Sequence, residues 1–384
     1  MKKVFKNLDK PLLLVTILLF VVGLIAVFSS SNVTAYMSHA VSPYNYFIKQ
    51  LAFLVVGFII AFIMLRFTTK AYGVFSWGLL LIVIASLVCL LIIGQTKNQA
   101  ISWYDLGPIS IQPSEFAKVI TIVWLAVYYE TNIKNLKSYM KSLFPIGICG
   151  IIALLIFLQP DLGTTIIYSF IVAAMFMASP IPKLIKFKTV FGIVGLAVFA
   201  GLVFFSSGKG LLLERQSERF NFRNPCSKLL STGNQVCNGY IAINNGGLTG
   251  VGLGNSTQKY LYLPEPYTDF IFAIIIEEMG VLFGLGIILL YIFLLYRILV
   301  IGKRSKTNRG MAMCYGVAIY IFLHIAINLM GLFGMMPMTG VPLPFMSYGG
   351  SFTICLIAAL TLVQRVCVES RFSNQTEKRR KRRA

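Results

Sequence analysis

Charge is scarce in this chain. Asp, Glu, Lys and Arg together supply 12% of its 384 residues, roughly half the share usual in a soluble domain. Acid is scarcer than base: 13 carboxylates stand against 34 Lys and Arg, for a formal net charge of +21. There are two histidines, and the seven cysteines show no metal-ligand spacing. The sequence therefore offers no dedicated metal cage and requires no cofactor, although a divalent cation remains compatible with it. Nucleic-acid binding would need the basic residues gathered on one face, whereas here they are dealt out loop by loop.

What is abundant is apolar sequence, at 57% of the chain. Several windows exceed ~18 apolar residues, each enough to cross a ~30 Å hydrocarbon layer as a helix. The expected fold is all-α: one polytopic membrane domain over 1–384 with about ten spans. They fall near 11–31, 47–66, 72–94, 113–130, 142–159, 162–181, 187–206, 269–298, 311–333 and 347–366. The first run follows Lys2, Lys3, Lys6 and Lys10. Its core is too long for a signal peptide, and Ser29-Ser30-Ser31 makes a poor cleavage site, so it reads as an uncleaved span. A cytoplasmic N-terminus puts most of the basic residues on the cytoplasmic side, including Arg66, Lys70, Arg297, Arg304 and the tail run Lys378 to Arg383. That distribution obeys the positive-inside rule and leaves both termini cytoplasmic. The tail, 367–384, is expected to lie on anionic membrane lipid or to be disordered.

The unusual residues crowd the opposite, extracellular face. A loop over 207–268 separates spans seven and eight and is far longer than an ordinary connection. At its end, Asp269 sits on the seam between polar loop and apolar run. Such a carboxylate suits a general base, because water lets it ionise while the apolar side raises its pKa. A helix cap is the plainer alternative. The loop also carries Arg215 and Arg219 at i, i+4, then Arg223 and Lys259. The arginines match phosphate geometry, or are scattered surface charge.

Around 103–118, Pro113-Ser114-Glu115 reads as a helix start. Glu115 and Lys118 share a helix face, as an internal salt bridge or as site residues. Asp161, in Gln159-Pro160-Asp161, marks a tight hairpin tip. The prolines and glycines of 340–351, which include Ser347, predict irregular backbone at the outer membrane edge, tolerated only against protein or a cavity. Glu277 and Glu278 lie within the eighth span, where each needs a basic partner, a shared proton or a cavity. His324 reads as a hydrogen-bonded packing residue. Cys226 and Cys237 lie close together outside the cytoplasm, where a disulfide is expected. Cys89, Cys149, Cys314 and Cys355 read as small core residues.

Several motifs occur in order: Trp103…Leu106-Gly107, Gln112-Pro113-Ser114-Glu115-Phe116-Ala117-Lys118, Gln159-Pro160-Asp161-Leu162-Gly163-Thr164, Gly252-Leu253-Gly254…Gln258-Lys259, Leu263-Pro264-Glu265…Thr268-Asp269-Phe270-Ile271-Phe272-Ala273 and Pro344-Phe345…Ser347-Tyr348-Gly349-Gly350-Ser351. Together they resemble the SEDS family of FtsW, RodA and SpoVE proteins over nearly the whole chain. The Leu-Pro-Glu-Pro-x-Thr-Asp run and Thr339 to Phe345 look most like FtsW of Gram-positive bacteria, with an elongation-type RodA as the near alternative. Phe352 and Thr339 depart from the usual residues at their positions.

The resemblance implies a ten-span peptidoglycan glycosyltransferase that polymerises lipid II, a disaccharide-pentapeptide on undecaprenyl pyrophosphate. It also implies a class B penicillin-binding protein and other divisome proteins as partners. The family's essential acid falls on Asp269 and its functional tryptophan on Trp103. Glu115, Asp161 and Ser347 fall in its motifs, and Lys118, Arg215, Arg219 and Lys259 are the candidates to meet the pyrophosphate. Two other classes compete: a lipid II flippase and a non-catalytic scaffold. A transporter should carry matched halves and midplane charge, and no such repeat is seen.

Overall fold

A computed structural model describes residues 2–37, 41–93, 95–97, 100–105, 107, 110–193, 225–227, 233–260 and 262–381. After a short helix α1 (Lys2–Lys6) come the long helices α2 (Lys10–Met37), α3 (Asn45–Met64) and α4 (Thr69–Ile93). Strands β1 (Gln95–Lys97), β2 (Ala100–Asp105) and β3 (Ser110–Ile111) form a small antiparallel sheet, pairing Trp103 with Gln95 and Tyr104 with Ile111. Helices α5 (Pro113–Thr131), α6 (Tyr139–Phe157) and α7 (Leu162–Ala178) follow. A helix over 183–193, α8, carries only the first part of the predicted seventh span; the rest of that span lies outside the described residues. The chain continues with α9 (Gly233–Gly246), α10 (Ile271–Lys303), α11 (Asn308–Leu332) and α12 (Gly350–Lys381).

Helix starts follow local chemistry. Asp9 caps α2 by accepting from Leu12 N at 3.0 Å, and Asp161 caps α7 by accepting from Thr164 N at 3.0 Å. Thr307 does the same for α11, and Pro113 opens α5, where its missing N–H costs nothing. Among the described residues, seven helices are long and apolar enough to cross a membrane; this is a multi-pass membrane protein. The helices divide into a centre and a shell. In α12, 89% of the most apolar window is buried against protein, against 22% in α3 and 28% in α4. Apolar side chains of α3 and α4 therefore face lipid, while α12 is the axis on which α3, α5 and α11 pack.

The expectation of one uniform eighth span needs amendment. Gly280 lies inside α10 at φ +85, ψ 163, so the helix breaks there. The segment 247–252 fills the break. Val251 N donates to Glu277 O at 2.9 Å, Gly252 N to Glu278 O at 2.9 Å, and Val281 N to Gly247 O at 3.0 Å. A Cβ on Gly280 would stand 2.3 Å from Leu248 O, so only glycine fits. Broken backbone at membrane depth survives only when protein re-satisfies it. The second half of the predicted 207–268 loop is thus partly folded into the domain: α9 packs along α10 rather than standing off as a loop. Cys226 and Cys237 form the expected disulfide at the start of this unit.

Candidate functional site

Two irregular segments meet at the outer end of the bundle: 262–270, which leads into α10, and 334–349, which leads into α12. Ser347 stitches them. Its Oγ accepts from Leu343 N at 2.8 Å and donates to Thr268 O at 2.7 Å. Tyr348 N donates to Tyr267 O at 2.9 Å. The rings of Tyr46, Tyr267 and Tyr348 cluster beside the stitch, with centroids 4.5 to 5.9 Å apart. Burial pushes the Tyr348 phenol up to about 12 and also raises Tyr267, so both remain neutral.

Asp269 lies within this junction, half-buried. It does not cap α10: the N-cap residue is Phe270, which makes no side-chain cap bond. Its backbone carbonyl accepts from Asn328 Nδ2 at 3.0 Å. Its carboxylate faces the chain at Gly340, where an added Cβ would stand 3.5 Å from Oδ2. Asn328 Nδ2 also donates to Val341 O at 2.9 Å. One side chain of α11 therefore fixes both the acid and the loop opposite it.

One helical turn earlier on α11, His324 belongs to a second, buried centre. Lys118 Nζ lies 2.7 Å from Glu115 Oε1 and 3.0 Å from His324 Nε2. His324 Nδ1 is 3.3 Å from Pro342 O. With Lys118 donating to Nε2, the neutral ring carries its proton on Nδ1 and gives it to that carbonyl. The Lys118 cation lies 5.6 Å from the centre of the Tyr320 ring, and Phe352 stacks on His324 at 4.7 Å. Phe352, which departs from the usual residue at its position, thus covers the imidazole. Several buried polar atoms around this centre lack a partner among the described residues: Glu115 Oε2, Ser114 Oγ, Tyr320 OH and Asn328 Oδ1. Unpaired groups at this density are costly unless they meet water or a polar ligand.

The α7 cap joins the same wall, since Gln112 Nε2 donates to Asp161 Oδ2 at 3.1 Å. Gln112 N in turn donates to Ser351 Oγ at 3.1 Å at the start of α12. Asp161 therefore acts as both helix cap and wall residue.

Lys259 is placed differently. Its Nζ contacts Glu278 Oε1 at 3.0 Å and Gly254 O at 2.6 Å, and the side chain is buried. Ser29 Oγ of α2 donates to the same carboxylate at 2.6 and 2.7 Å. The neighbouring Glu277 accepts from Ser256 Oγ, Thr257 Oγ1 (2.9 Å), Thr257 N (3.2 Å), Gln258 N (3.4 Å) and Asn245 Nδ2 (3.3 Å). Of the readings open for this acid pair, Glu278 takes the basic partner, whereas Glu277 is held by neutral donors, which the sequence reading did not foresee. Both lock 245–259 onto the broken helix. The geometry commits Lys259 to Glu278, whereas its sequence suggested pyrophosphate.

Trp103 is half-buried on β2, in the small sheet beside α4 and α5. Arg215, Arg219 and Arg223 lie outside the described residues. Among the described residues, no three His, Cys, Asp or Glu gather as a metal site. The residues that sequence reasoning passed over are His324, read as packing, and Asn328 and Gln112, not singled out for a role. The available signal was their spacing: His and Asn at i, i+4 share one face of an otherwise apolar helix.

Comparison with known proteins agrees with this architecture. Residues 10–372 match the family FTSW_RODA_SPOVE, described as a cell cycle protein. A protein of Bacillus subtilis called probable peptidoglycan glycosyltransferase FtsW is 34% identical, over 99% of this chain and 95% of its own. Stage V sporulation protein E of the same species is 35% identical over 95% and 98%. Among solved structures, a chain from a peptidoglycan synthase complex that coordinates polymerization and crosslinking superposes with TM-score 0.74 at 22% identity, over 94% of this chain and 98% of that one. The rod shape determining protein RodA of Thermus thermophilus gives 0.65, also at 22%, over 94% and 97%.

Proposed function

The chain belongs to the FtsW/RodA/SpoVE family, and we propose from that premise that it polymerises lipid II into glycan strands, with Asp269 as general base. The enzyme class is peptidoglycan glycosyltransferase, of the FtsW rather than the RodA kind, as the full-length relatives are. In this reading Asp269 takes the proton of the acceptor sugar hydroxyl while that oxygen attacks the anomeric carbon of the donor. The bond from that carbon to the pyrophosphate breaks, and the leaving group keeps the electron pair. A cation then has to stabilise the departing charge. Lys118, although buried in its pair with Glu115, is the candidate we assign, because His324 joins it to the helix face whose Asn328 holds Asp269. We assign Trp103, Asp161 and Gln112 to the substrate side of the site from the motifs that carry them, and Ser347 holds the two loops together.

The observation that supports this reading best is the pinned position of Asp269. Its backbone is fixed by Asn328, whose Oδ1 has no partner among the described residues, and its side chain faces the loop at Gly340. In this reading the end of the bundle that holds Asp269 faces outside the cell, as the basic loops on the other side suggest. The partner in this reading is the class B penicillin-binding protein that the family resemblance implies, which would crosslink the strands.

Purified protein mixed with lipid II tests the assignment. Wild type should give a ladder of glycan strands on a gel. Asp269→Asn should give none, with an unchanged melting temperature in detergent. Substantial polymer from that variant would overturn the role of Asp269; no polymer from wild type would favour transport or scaffolding.

A further inference from the structure

We propose that the end of the bundle remote from Asp269 carries a binding site for one anionic phospholipid. The first observation is a groove of about 220 Å³ between α2 and α3, floored by α12. Leu12, Phe20, Phe58, Ala61 and Leu360 line it, and Phe5 of α1 closes one end. Its surface is almost wholly apolar, with Thr16, Thr361 and Gln364 as the polar members. Gln364 is already engaged, donating to Asp9 O at 3.0 Å and accepting from Asp9 N at 2.8 Å. The volume falls below the ~300–1,000 Å³ of a pocket for a drug-sized molecule. The groove runs along the helices from Leu12 to Phe20, a rise of about 12 Å. That is the shape of one hydrocarbon chain lying along the bilayer normal.

The second observation is the charge at the mouth. Arg66 follows directly on Leu65, and its guanidinium carbon lies 5.0 Å from the centre of the Phe62 ring. Phe62 in turn meets Phe5 at 6.1 Å. Lys6 and Lys10 flank Leu8 and Leu12 on the opposite lip, and all three cations are exposed. Asp9, the acid in that stretch, is turned inward and bound by Arg297 at 2.6 Å and Arg371 at 3.4 Å. Among the described residues, Lys6, Lys10 and Arg66 form no salt bridge. An apolar slot capped by a guanidinium and two ammonium groups suits a phosphodiester headgroup with an acyl chain below it. A zwitterionic lipid brings its own cation to the same place and is disfavoured.

Native mass spectrometry of the full chain in detergent tests this, with phosphatidylglycerol and phosphatidylcholine of identical chains. At least a fivefold preference for phosphatidylglycerol is expected. Lys6→Gln with Arg66→Gln should abolish the preference. Ala61→Phe, which fills the slot without altering charge, should reduce retention of the lipid itself, and Ala61→Leu serves if that variant does not fold. Glycerol 3-phosphate, which has the phosphate and no chain, should not compete. Equal retention of the two lipids overturns the proposal, as does unchanged preference in the Lys6/Arg66 variant or competition by glycerol 3-phosphate.

Discussion

Lys118 is enclosed by protein, with Glu115, His324 and Tyr320 as its neighbours. Removing it leaves Glu115 as an uncompensated buried charge, a loss of about 3–5 kcal/mol. Lys118→Met should therefore lower the melting temperature in detergent and stop glycan synthesis. Glu115→Gln combined with Lys118→Met removes both charges, and most of the stability should return. Polymerisation should not return if the cation serves the leaving group, whereas a purely structural pair would recover both. At this scale the sequence was partly legible. The i, i+3 spacing of Glu115 and Lys118 announced their contact, and Asp269 stood out at a polar–apolar seam. The third member, His324, is some 200 positions away, and nothing in local spacing pairs it with Lys118. The fate of Lys259 was hidden for the same reason, since only folding brings it to Glu278.

Among the elements, α10 departs most from what hydropathy implies. Composition predicts a continuous span from 269, yet Gly280 interrupts it and 247–252 supplies the missing backbone partners. Hydropathy reports whether side chains suit lipid and is blind to a single left-handed glycine in a run of apolar neighbours. Gly280→Ala should cost at least about 1–3 kcal/mol from backbone strain alone, with the clash against Leu248 O added. The expected result is a lower melting temperature together with weakened polymerisation, because the short outer piece begins two residues after Asp269. An unchanged melting temperature would show that the break closes without penalty. The prolines and glycines of 340–351, by contrast, correctly forecast irregular backbone packed against protein: a Cβ on Gly23 of α2 would stand 2.0 Å from Phe345 O.

For the molecule as a whole, the helical class, the membrane setting and the approximate positions of the long helices were readable, because each rests on composition over long windows. The packing order was not, since it depends on contacts between distant segments. Asp9 shows this: it joins the start of α2 to Arg297 near the end of α10 and to Arg371 and Gln364 of α12. Asp9→Asn leaves two guanidinium groups short of their acid. The loss should reach about 2–3 kcal/mol, below the ~3–5 of a fully buried pair because Arg371 is partly in water. A melting curve in detergent reads that loss. Polymerisation well below the melting temperature should continue, because the acid lies at the far end of the bundle from Asp269. The interrupted α10 has a mechanical consequence at the same scale. Its outer stub, some two turns of helix, begins just past Asp269, while its long inner arm runs on to the opposite surface. Any twist imposed on that arm by a neighbouring subunit arrives at the stub through a single glycine swivel, cross-braced by the strap 245–259.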